Sequence, residues 1–350
     1  MKAAVYRGKN DLRLEDVPVP EAAAGEMLVR VDACGICPTD LKKIQKGYLE
    51  GPRIFGHEIA GTVAALGHGT ARWREGQRVV VHHHVPCGRC FYCARRAYAQ
   101  CAHYKKNGTT AGFEPSGGGY SEYVRVMDWI VDRGVVAIPD GVLAEEACFV
   151  EPVNTCLKAV EKAGVVAGET VLVLGQGPIG LLLMQLARVA GATVLASDPL
   201  PERRALARTL GADEVLDPAD DVASAARRAT GGRGVDCALV AAAVPAALRQ
   251  ALAATRPAGR VLSFAATSSG ETAELDLGLL TTAEQDILTA YSSSIDLQER
   301  SAELVFSRRV RVRELVSHRF PVSQAEEAFA LALAPAAGTL KVVLQMPAPA

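Results

Sequence analysis

From Gly168 onward, the sequence alternates short apolar runs with longer amphipathic stretches. VLVLG is followed by PIGLLLMQLARVAGA, TVLASD, PERRALARTLGA and EVLD, and the pattern continues through DCALVAAA, AALRQALAATR and GRVLSFAA. Strands that alternate with helices of this length usually pair in parallel and are covered by helices on both faces. This part of the chain is therefore predicted to be an α/β domain with a doubly wound parallel sheet.

A glycine motif stands between the first of these runs and the helix that follows. Gly175, Gly177 and Gly180 have GxGxxG spacing. The first glycine permits a tight turn, the second lets a pyrophosphate approach the backbone, and the third lets helix and strand pack closely. The phosphates would then lie at a helix N-terminus. The sequence predicts that these glycines, with Pro178 and Ile179, bind a dinucleotide.

Asp198 ends the next strand, at the spacing expected for a carboxylate that accepts hydrogen bonds from the cofactor ribose. Its charge would repel a 2′-phosphate, which favours NAD over NADP. Arg203 and Arg204 follow closely and could tolerate a phosphate, although a solvated helix face is the simpler explanation for at least one of them. We expect NAD, with Arg203 beside it.

The two ends of the chain have a different pattern. MLVRVDAC, EIAGTVAAL, QRVVVHHH and YSEYVRV are rich in β-branched residues and are separated by turn-forming residues, which favours a mostly β domain. The texture changes near Glu151 and again after Tyr291. The last part of the chain predicts a helix (LQERSAELVFSRR), a strand (VRVRELVSHRF), a helix over residues 324–333 and a closing strand (TLKVVLQ).

Four cysteines lie within fifteen residues, in C-x2-C-x2-C-x7-C spacing. In a reducing compartment such a cluster indicates a metal site rather than disulfides. Four thiolates suit a closed tetrahedral zinc site, and an iron–sulfur cluster is the alternative. The residues concerned are Cys87, Cys90, Cys93 and Cys101.

A second metal site is indicated by dispersed residues. GICPTD carries Cys37, GHE carries His57 and Glu58, and CFVEPVN carries Glu151. A thiolate, an imidazole and a carboxylate would hold zinc with a fourth position open to water or substrate. The three consecutive histidines at 82–84 are assigned a structural role instead, because on a strand they point to alternating faces.

The composition excludes several classes of protein. With 350 residues, 49% of them hydrophobic, the chain can bury a large core and is long enough for two domains. A formal net charge of −1 gives no reason to expect nucleic acid or an anionic membrane as a partner. No apolar run reaches the roughly 18 to 20 residues of a membrane span, and the charged N-terminus is unlike a secretory signal. We expect a cytoplasmic protein.

Several motifs together resemble the zinc-dependent medium-chain dehydrogenase/reductase family, in particular its polyol (sorbitol-like) and threonine dehydrogenase branch. The resemblance covers almost the whole chain. It is carried by GICPTD, GHEIAGTV, the four-cysteine segment, GGGYSEYV, EPVNTCLKAV, LGQGPIGLL, TGGRGVD, HRFPVSQAEEAFA and KVVLQ. A glutamate at position 151, where the simple-alcohol branch has cysteine, is more similar to the polyol and threonine branch.

The resemblance implies the domain organisation. Residues 1–152 and 291–350 would form a GroES-like, mostly β catalytic domain, and residues 153–290 would form a Rossmann dinucleotide-binding domain between them. It further implies two Zn²⁺ ions per subunit, one catalytic and one structural, and a homodimer or homotetramer.

The resemblance also implies residue roles. Cys37, His57 and Glu151 would bind the catalytic zinc, with Glu58 as an alternative or exchanging ligand. Thr39 matches the hydroxyl that relays the substrate proton, and Asp40 matches the carboxylate that orients the ligand histidine. Three positions depart from the family: Pro38 stands where glycine is usual, Gln77 replaces the aspartate of a GD motif, and Lys42 stands where a histidine often ends the proton relay. The relay beyond Thr39 therefore stays open.

The reaction implied is hydride transfer between a secondary alcohol or polyol and NAD, giving a ketone. A threonine-type amino alcohol is the alternative substrate. A non-catalytic NAD-binding protein on the same fold would be expected to have lost Cys37 or Thr39, and a zinc-free quinone or enoyl reductase would lack the metal ligands. All of these residues are present.

Overall fold

The structure is a computed structural model and describes residues 1–47, 49–82, 85–103, 117–265 and 270–347. Its strands, in chain order, are β1 (Lys2–Gly8), β2 (Asp11–Asp16), β3 (Met27–Gly35), β4 (Arg53–Ile54), β5 (Glu58–Leu66), β6 (Arg78–Val81), β7 (Tyr123–Val126), β8 (Val135–Ala137), β9 (Thr170–Leu174), β10 (Thr193–Ser197), β11 (Glu214–Leu216), β12 (Val235–Val240), β13 (Thr255–Ser263), β14 (Asp286–Thr289), β15 (Val316–Pro321) and β16 (Lys341–Gln345).

The α-helices within the same residues are α1 (Pro38–Lys46), α2 (Asp128–Arg133), α3 (Ala144–Ala147), α4 (Val150–Lys162), α5 (Pro178–Val189), α6 (Pro201–Thr209), α7 (Val222–Ala229), α8 (Pro245–Ala254), α9 (Leu277–Thr282), α10 (Gln298–Phe306) and α11 (Ala325–Leu333). Short 3-10 helices cover Cys93–Arg95, Tyr98–Gln100, Ile295–Leu297, Arg313–Leu315 and Val322–Gln324. None of the described helices is long and apolar enough to cross a membrane.

The chain divides into two compact units. The first unit contains Met1–Asn154, Ser293–Arg308 and Val312–Ala350, and the second contains Thr155–Ser292 with Arg309–Arg311. The first division falls inside α4. The first unit is thus assembled from both ends of the chain, and the second is a single central stretch with one added tripeptide.

The first unit is built around an antiparallel sheet. Its strand order is β15-β16-β3-β5-β6-β8, with β7 also paired to β3; only the β15–β16 pair is parallel. A smaller sheet has the order β2-β1-β4. Large side chains that alternate inward from these strands fill the core, among them Tyr6, Met27, Phe55 and Ile59. This is the GroES-like domain that the family resemblance implied.

The second unit is a six-stranded parallel sheet with the order β11-β10-β9-β12-β13-β14. The central strand β9 buries Val171 to Leu174 completely or nearly so, as a strand covered on both faces must. The order reverses between β9 and β12, which is the strand order of a Rossmann domain and places a ligand at the carboxyl ends of the central strands. The α/β fold class predicted from the sequence is confirmed.

One predicted strand is wrong over half its length. The alternation in VRVRELVSHRF predicts a strand over the whole segment, but β15 begins only at Val316. Val310, Val312 and Leu315 are buried from a turn and a 3-10 helix instead. The preceding Arg308 has φ +59°, so the backbone turns sharply where the pattern suggested extension. Helix α7 and the short edge strand β14 were not identified from the sequence.

Candidate functional site

A group of metal-binding side chains gathers where strands of the first unit end. Strand β3 ends at Gly35, and Cys37 follows as the N-cap of α1. Strand β5 begins at Glu58, which is paired with Gly35 in the antiparallel register, and His57 directly precedes it. The register therefore carries residues about twenty positions apart in the chain to one point. The ligand atoms of Cys37, His57 and Glu58 all lie within 4.8 Å of one another.

Glu151 does not join this group, although the sequence analysis assigned it to the zinc ahead of Glu58. It lies in the first turn of α4 and is 7% exposed, but its carboxylate is not among the ligand atoms within 4.8 Å. Glu58 takes that place because it opens the strand adjacent to Cys37. As evidence for a zinc ligand in the sequence, Glu151 is weaker than Glu58. A position on a helix does not by itself indicate in which direction the carboxylate points.

Asp40 lies behind His57. Its carboxylate is fully buried, and one oxygen, Oδ2, is 3.1 Å from Nδ1 of His57. A carboxylate at Nδ1 fixes the orientation of the imidazole and leaves Nε2 as the metal-binding atom. The Asp40 position thus agrees with the role that the resemblance implied.

Further groups hold Asp40 in place. Lys43 Nζ donates to Oδ1 at 2.8 Å, and the backbone N–H of Gly56 donates to Oδ2 at 3.2 Å. Burial would raise the pKa of the Asp40 carboxyl, but attraction to His57 and Lys43 outweighs burial and holds that pKa well below its usual range. Asp40 therefore stays a carboxylate across the pH range in which such enzymes work.

Tyr120 connects two parts of the site and was not identified from the sequence. Its hydroxyl accepts a hydrogen bond from the backbone N–H of Cys37 and lies 3.2 Å from Asp40 Oδ2, to which it can donate. The side chain is completely buried, and burial followed by the charge of Asp40 raises the pKa of the phenol. The only hint in the sequence was its place in GGGYSEYV, where it reads as an ordinary core aromatic residue.

Lys341 is the other residue that the sequence analysis missed. It begins β16, is buried, and its Nζ lies 2.6 Å from Glu58 Oε1 and 2.5 Å from Oε2. In TLKVVLQ the lysine looks like a strand residue facing solvent. The lysine is buried because β16 pairs with β3 inside the sheet.

The residues of the implied proton relay are on α1. Pro38 is the first residue of the helix, where the fixed φ of proline is favourable and its missing N–H costs no hydrogen bond. Thr39 and Lys42 are both exposed. A threonine hydroxyl thus lies two residues from Cys37 at the surface of the first unit, and Lys42 stays a candidate for the next step.

The four cysteines form a second, self-contained group. Sγ–Sγ distances are 3.9 Å for Cys87–Cys93, 3.5 Å for Cys90–Cys93 and 3.9 Å for Cys90–Cys101. These distances exclude disulfides, whose sulfurs are about 2 Å apart. They fit thiolates around one tetrahedral ion, because Zn–S bonds of about 2.3 Å separate the sulfurs by about 3.8 Å. All four Sγ atoms lie within 4.8 Å of one another, which suits a single ion better than a multi-iron cluster.

The glycine motif opens helix α5 in the second unit. Gly175 has φ +90°, a conformation that strongly favours glycine. A Cβ on Gly180 would overlap the carbonyl oxygen of Gly175, whereas a Cβ on Gly177 would meet nothing closer than Arg203 Nη1 at 3.9 Å. Gly177 is the N-cap and Pro178 the first helical residue. The loop thus has a closed side against the sheet and an open side at the helix N-terminus, where an anion can bind.

Asp198 follows β10 and is only 2% exposed. Its Oδ2 accepts the backbone N–H of Gln176 at 2.6 Å, and its Oδ1 accepts that of Leu200 at 2.9 Å. Arg203 Nη1 is 3.7 Å from the same carboxylate. Asp198 therefore joins the glycine loop to the end of β10, a structural role that adds to the ribose contact predicted from the sequence.

Other histidines and the expected pocket wall can be placed only in part. His82 is buried, and its Nε2 lies 3.4 Å from the hydroxyl of Ser293, which agrees with the structural role assigned to it. His83 and His84 lie outside the described residues, as do Phe113 and Glu114, which the sequence suggested as one wall of the substrate pocket.

Family models match both parts of the chain. The model described as "Alcohol dehydrogenase GroES-like domain" matches residues 23–140, and the model described as "Zinc-binding dehydrogenase" matches residues 178–307. These two ranges include Cys37, His57, Glu58 and the four-cysteine group in the first, and Gly180 and Asp198 in the second.

Whole-chain similarity extends to curated proteins and solved structures. Sorbitol dehydrogenase of Bacillus subtilis (strain 168) is 31% identical over 340 residues, covering 95% of this chain and 94% of that protein. L-threonine 3-dehydrogenase of Pyrococcus abyssi is 37% identical over 255 residues, 71% of this chain and 70% of that protein. A Sinorhizobium meliloti 1021 protein described as a zinc-binding dehydrogenase and solved with NADP superposes with a TM-score of 0.90 at 30% identity, covering 98% of both chains.

Proposed function

The chain belongs to the zinc-dependent medium-chain dehydrogenase/reductase family, and on this basis we propose that it transfers a hydride between a secondary alcohol or polyol and NAD, giving a ketone. It is an oxidoreductase of the polyol and threonine branch. The observation that carries the proposal is the grouping of Cys37, His57 and Glu58 within 4.8 Å, because a thiolate, an imidazole and a carboxylate are the donor types of a catalytic zinc.

The residues fit two zinc ions with different tasks. The four cysteines would hold a structural ion, since four thiolates leave no coordination position for chemistry. Cys37, His57 and Glu58 would hold the catalytic ion, and Glu151, buried in the first turn of α4, stays a further candidate that the family resemblance implies. A zinc ion bound there supplies Lewis acidity, lowering the pKa of a bound hydroxyl, and the nicotinamide supplies the redox chemistry.

The protein's own residues then orient the site and move the proton. The Asp40 carboxylate, 3.1 Å from His57 Nδ1, would orient the imidazole so that Nε2 is the atom available to a metal ion. Tyr120 holds the backbone of Cys37 and the Asp40 carboxylate in a fixed relation. Thr39 Oγ1, exposed on the first turn of α1, accepts the substrate proton and passes it on. Lys42, exposed one turn further along, is our candidate for the next carrier.

NAD rather than NADP is proposed as the cofactor. Gly175, Gly177, Pro178, Ile179 and Gly180 would hold the pyrophosphate at the N-terminus of α5. A 2′-phosphate on the adenosine ribose would approach the negative Asp198. The guanidinium of Arg203 is 3.7 Å from the Asp198 carboxylate and compensates part of the negative charge of that carboxylate. The Sinorhizobium meliloti relative was solved with NADP, so NAD and NADP are both offered in the test.

A panel of substrates tests the proposal directly. NADH formation would be followed with polyols, secondary alcohols, primary alcohols and threonine, each with NAD and with NADP, before and after removal of zinc by a chelator. We expect zinc-dependent turnover of polyols or secondary alcohols with NAD. Turnover of threonine alone would select the amino alcohol alternative, the substrate in the name of the Pyrococcus abyssi relative. No turnover with zinc and NAD both bound would contradict the proposal and point to a non-catalytic protein.

We also propose a homodimer or homotetramer in the cytoplasm. The support for self-association is an exposed apolar face on the second unit, next to its edge strand β14. Leu277 and Leu279 of α9 and Tyr291 are more than half exposed, and α9 buries none of its residues. The support for a reducing compartment is that the four clustered cysteines are not paired as disulfides.

A further inference from the structure

A buried ion pair adjoins the catalytic group. Lys341 is 5% exposed and Glu58 is 1% exposed, and the ammonium lies within 2.6 Å of both carboxylate oxygens. Nζ also donates to the carbonyl oxygen of Ile36 at 3.2 Å and lies 5.8 Å from the centre of the Phe149 ring. Such a pair adds little to stability, because the cost of removing two charges from water offsets their attraction. Its presence at this place calls for another explanation.

The same carboxylate also faces the metal ligands. Its oxygen lies within 4.8 Å of Cys37 Sγ and of a His57 ring nitrogen. Glu58 therefore has a fixed cation on one side and the position of a divalent cation on the other. The two cations compete for the same carboxylate, and the competition is strong because charges in a buried site are only weakly screened.

Gly35 fixes where the pair sits. Gly35 is the β3 residue directly opposite Glu58 in the sheet. A Cβ on Gly35 would overlap Glu58 Oε2 and would lie 2.8 Å from Lys341 Cε. The carboxylate and the ammonium thus occupy the space that a side chain at position 35 would fill, with little room to shift along the strand.

We propose that Lys341 is a positioning residue that keeps Glu58 an exchangeable ligand of the catalytic metal, so that a coordination position opens for the substrate hydroxyl. Lys341 attracts the carboxylate away from the ion, and as a like charge it also lowers the affinity of the site for the ion. Lys341 is the basic side chain paired with Glu58 within the described part of the chain, so without it the carboxylate would turn to the metal. The inference rests on the proposed function, since it needs a metal at Cys37 and His57.

The test compares Lys341→Met, which removes the charge, with Lys341→Arg, which keeps it. Zinc release from the holoenzyme into a chelator would be timed, and the visible spectrum of the cobalt-substituted protein would be recorded with and without added alcohol. For Lys341→Met we expect zinc release about tenfold slower and a cobalt spectrum that no longer responds to alcohol. Lys341→Arg should match the wild type in both. Unchanged or faster release with a wild-type spectrum in Lys341→Met would overturn the inference.

A second background protects the test against misfolding of the single variant. In Glu58→Gln the carboxylate charge is absent, so Lys341→Met should then slow zinc release much less, through the loss of the like charge alone, and the double variant has no unpaired buried charge. An equal effect of Lys341→Met in both backgrounds would show that Lys341 acts independently of Glu58 and would overturn the inference. Failure of the proposed function is distinguishable, because wild-type protein would then hold no zinc that depends on Cys37.

Discussion

At the scale of single residues, the glycines of the dinucleotide loop have different physical tasks. Gly175 adopts a left-handed conformation, and Gly180 lies where any side chain would overlap the carbonyl of Gly175. Gly177, in contrast, faces open space at the N-terminus of α5. Gly175 and Gly180 serve the fold, and Gly177 serves the ligand. A substitution can therefore separate stability from cofactor binding within six residues.

We predict that Gly180→Ala lowers the stability of the protein, whereas Gly177→Ala weakens the binding of NAD. Gly180→Ala should lower the free energy of unfolding by about 1 to 3 kcal/mol, since the loop must shift to admit the methyl group. Gly177→Ala should fold with near wild-type stability and bind NAD more weakly, because the methyl group occupies the approach of the pyrophosphate. Thermal unfolding and NAD titration measure the two properties. Wild-type NAD affinity in a folded Gly177→Ala protein would contradict the assigned cofactor site.

Asp198 should control the choice of cofactor. For Asp198→Ser we expect the KM for NAD to rise by about tenfold, in line with the loss of a charged hydrogen bond, and the KM for NADP to fall. Asp217→Asn, at the end of the neighbouring strand, is the control and should leave the ratio unaltered. Steady-state kinetics with both cofactors decide the matter, and an unchanged ratio in Asp198→Ser would remove the basis for preferring NAD.

Residues of the candidate site could be predicted from the sequence only where they lie in short, recognisable motifs. The four cysteines and Cys37 with His57 were identified from spacing and residue type. Lys341 could not be, because it lies 283 positions from Glu58 in the sequence and nothing in TLKVVLQ distinguishes a buried lysine from an exposed one. The choice between Glu58 and Glu151 likewise depended on strand register, which side-chain chemistry does not encode.

At the scale of secondary structure elements, α3 is tied to the two C-terminal strands by one carboxylate. Glu145 of α3 is nearly buried and receives two hydrogen bonds of 2.7 Å from Arg319 of β15 and one of 3.1 Å from Gln345 of β16. The hydrogen bonds from Arg319 lower the pKa of Glu145, and burial opposes them only in part. The sequence predicted β16 and the second half of β15 from their residue pattern but not α3, and such a pattern carries no information on which polar groups join the elements.

The lowered pKa of Glu145 makes this connection pH-dependent in a defined direction. The folded-state pKa lies below that of the unfolded chain, so the stabilisation is present above about pH 4 and is lost as the pH falls through the folded-state value. Arg319→Gln should lower the free energy of unfolding by about 1 kcal/mol near neutral pH, a modest figure because the guanidinium is partly exposed. In acid the difference should vanish.

Urea unfolding of the wild type and Arg319→Gln at several pH values checks this expectation. Arg228→Gln, an exposed arginine on α7, is the matched control and should differ little from the wild type at any pH. A stability difference for Arg319→Gln that persists unchanged into strong acid would show that the effect does not come from ionised Glu145.

At the scale of the whole molecule, the two candidate metal-binding groups lie in the same unit but in different kinds of structure. The cysteine group is contained within fifteen residues, whereas Cys37, His57 and Glu58 are brought together by the pairing of β3 with β5. Loss of a bound ion is therefore expected to have different consequences in the two groups. Cysteine spacing made the first group predictable from the sequence alone, whereas residue types and the family resemblance together indicated the second.

We predict two zinc ions per chain in the wild type and one in each of two variants. Cys37→Ser should lose the catalytic ion and turnover while keeping wild-type thermal stability. Cys93→Ser should lose the structural ion and unfold at a lower temperature, because a structural zinc contributes directly to folding. Elemental analysis with thermal unfolding separates these outcomes. Near-normal turnover in Cys37→Ser would refute the ligand assignment.

The apolar face of the second unit gives a prediction about assembly. Leu277→Lys combined with Leu279→Lys places two charges on a face that we expect a second copy to cover. Light scattering should show a smaller species than for the wild type, with the dinucleotide site intact. Val166→Lys, at an exposed valine elsewhere on the same unit, should leave the mass unaltered. A monomeric wild-type protein would remove the proposal altogether.

The pairing of Glu58 with Lys341 also constrains how the molecule can be made. During synthesis the first unit leaves the ribosome as strands β1 to β8 long before β15 and β16 exist, and until then Glu58 has no ammonium to meet it. The sheet of the first unit can be completed by β15 and β16 only after the second unit has been translated. A nascent chain halted after the second unit would carry a complete Rossmann domain beside a half-built partner with an unpaired acid at its centre. Strand β16 thus completes a domain to which β1 also belongs, and it supplies the ammonium that Glu58 meets.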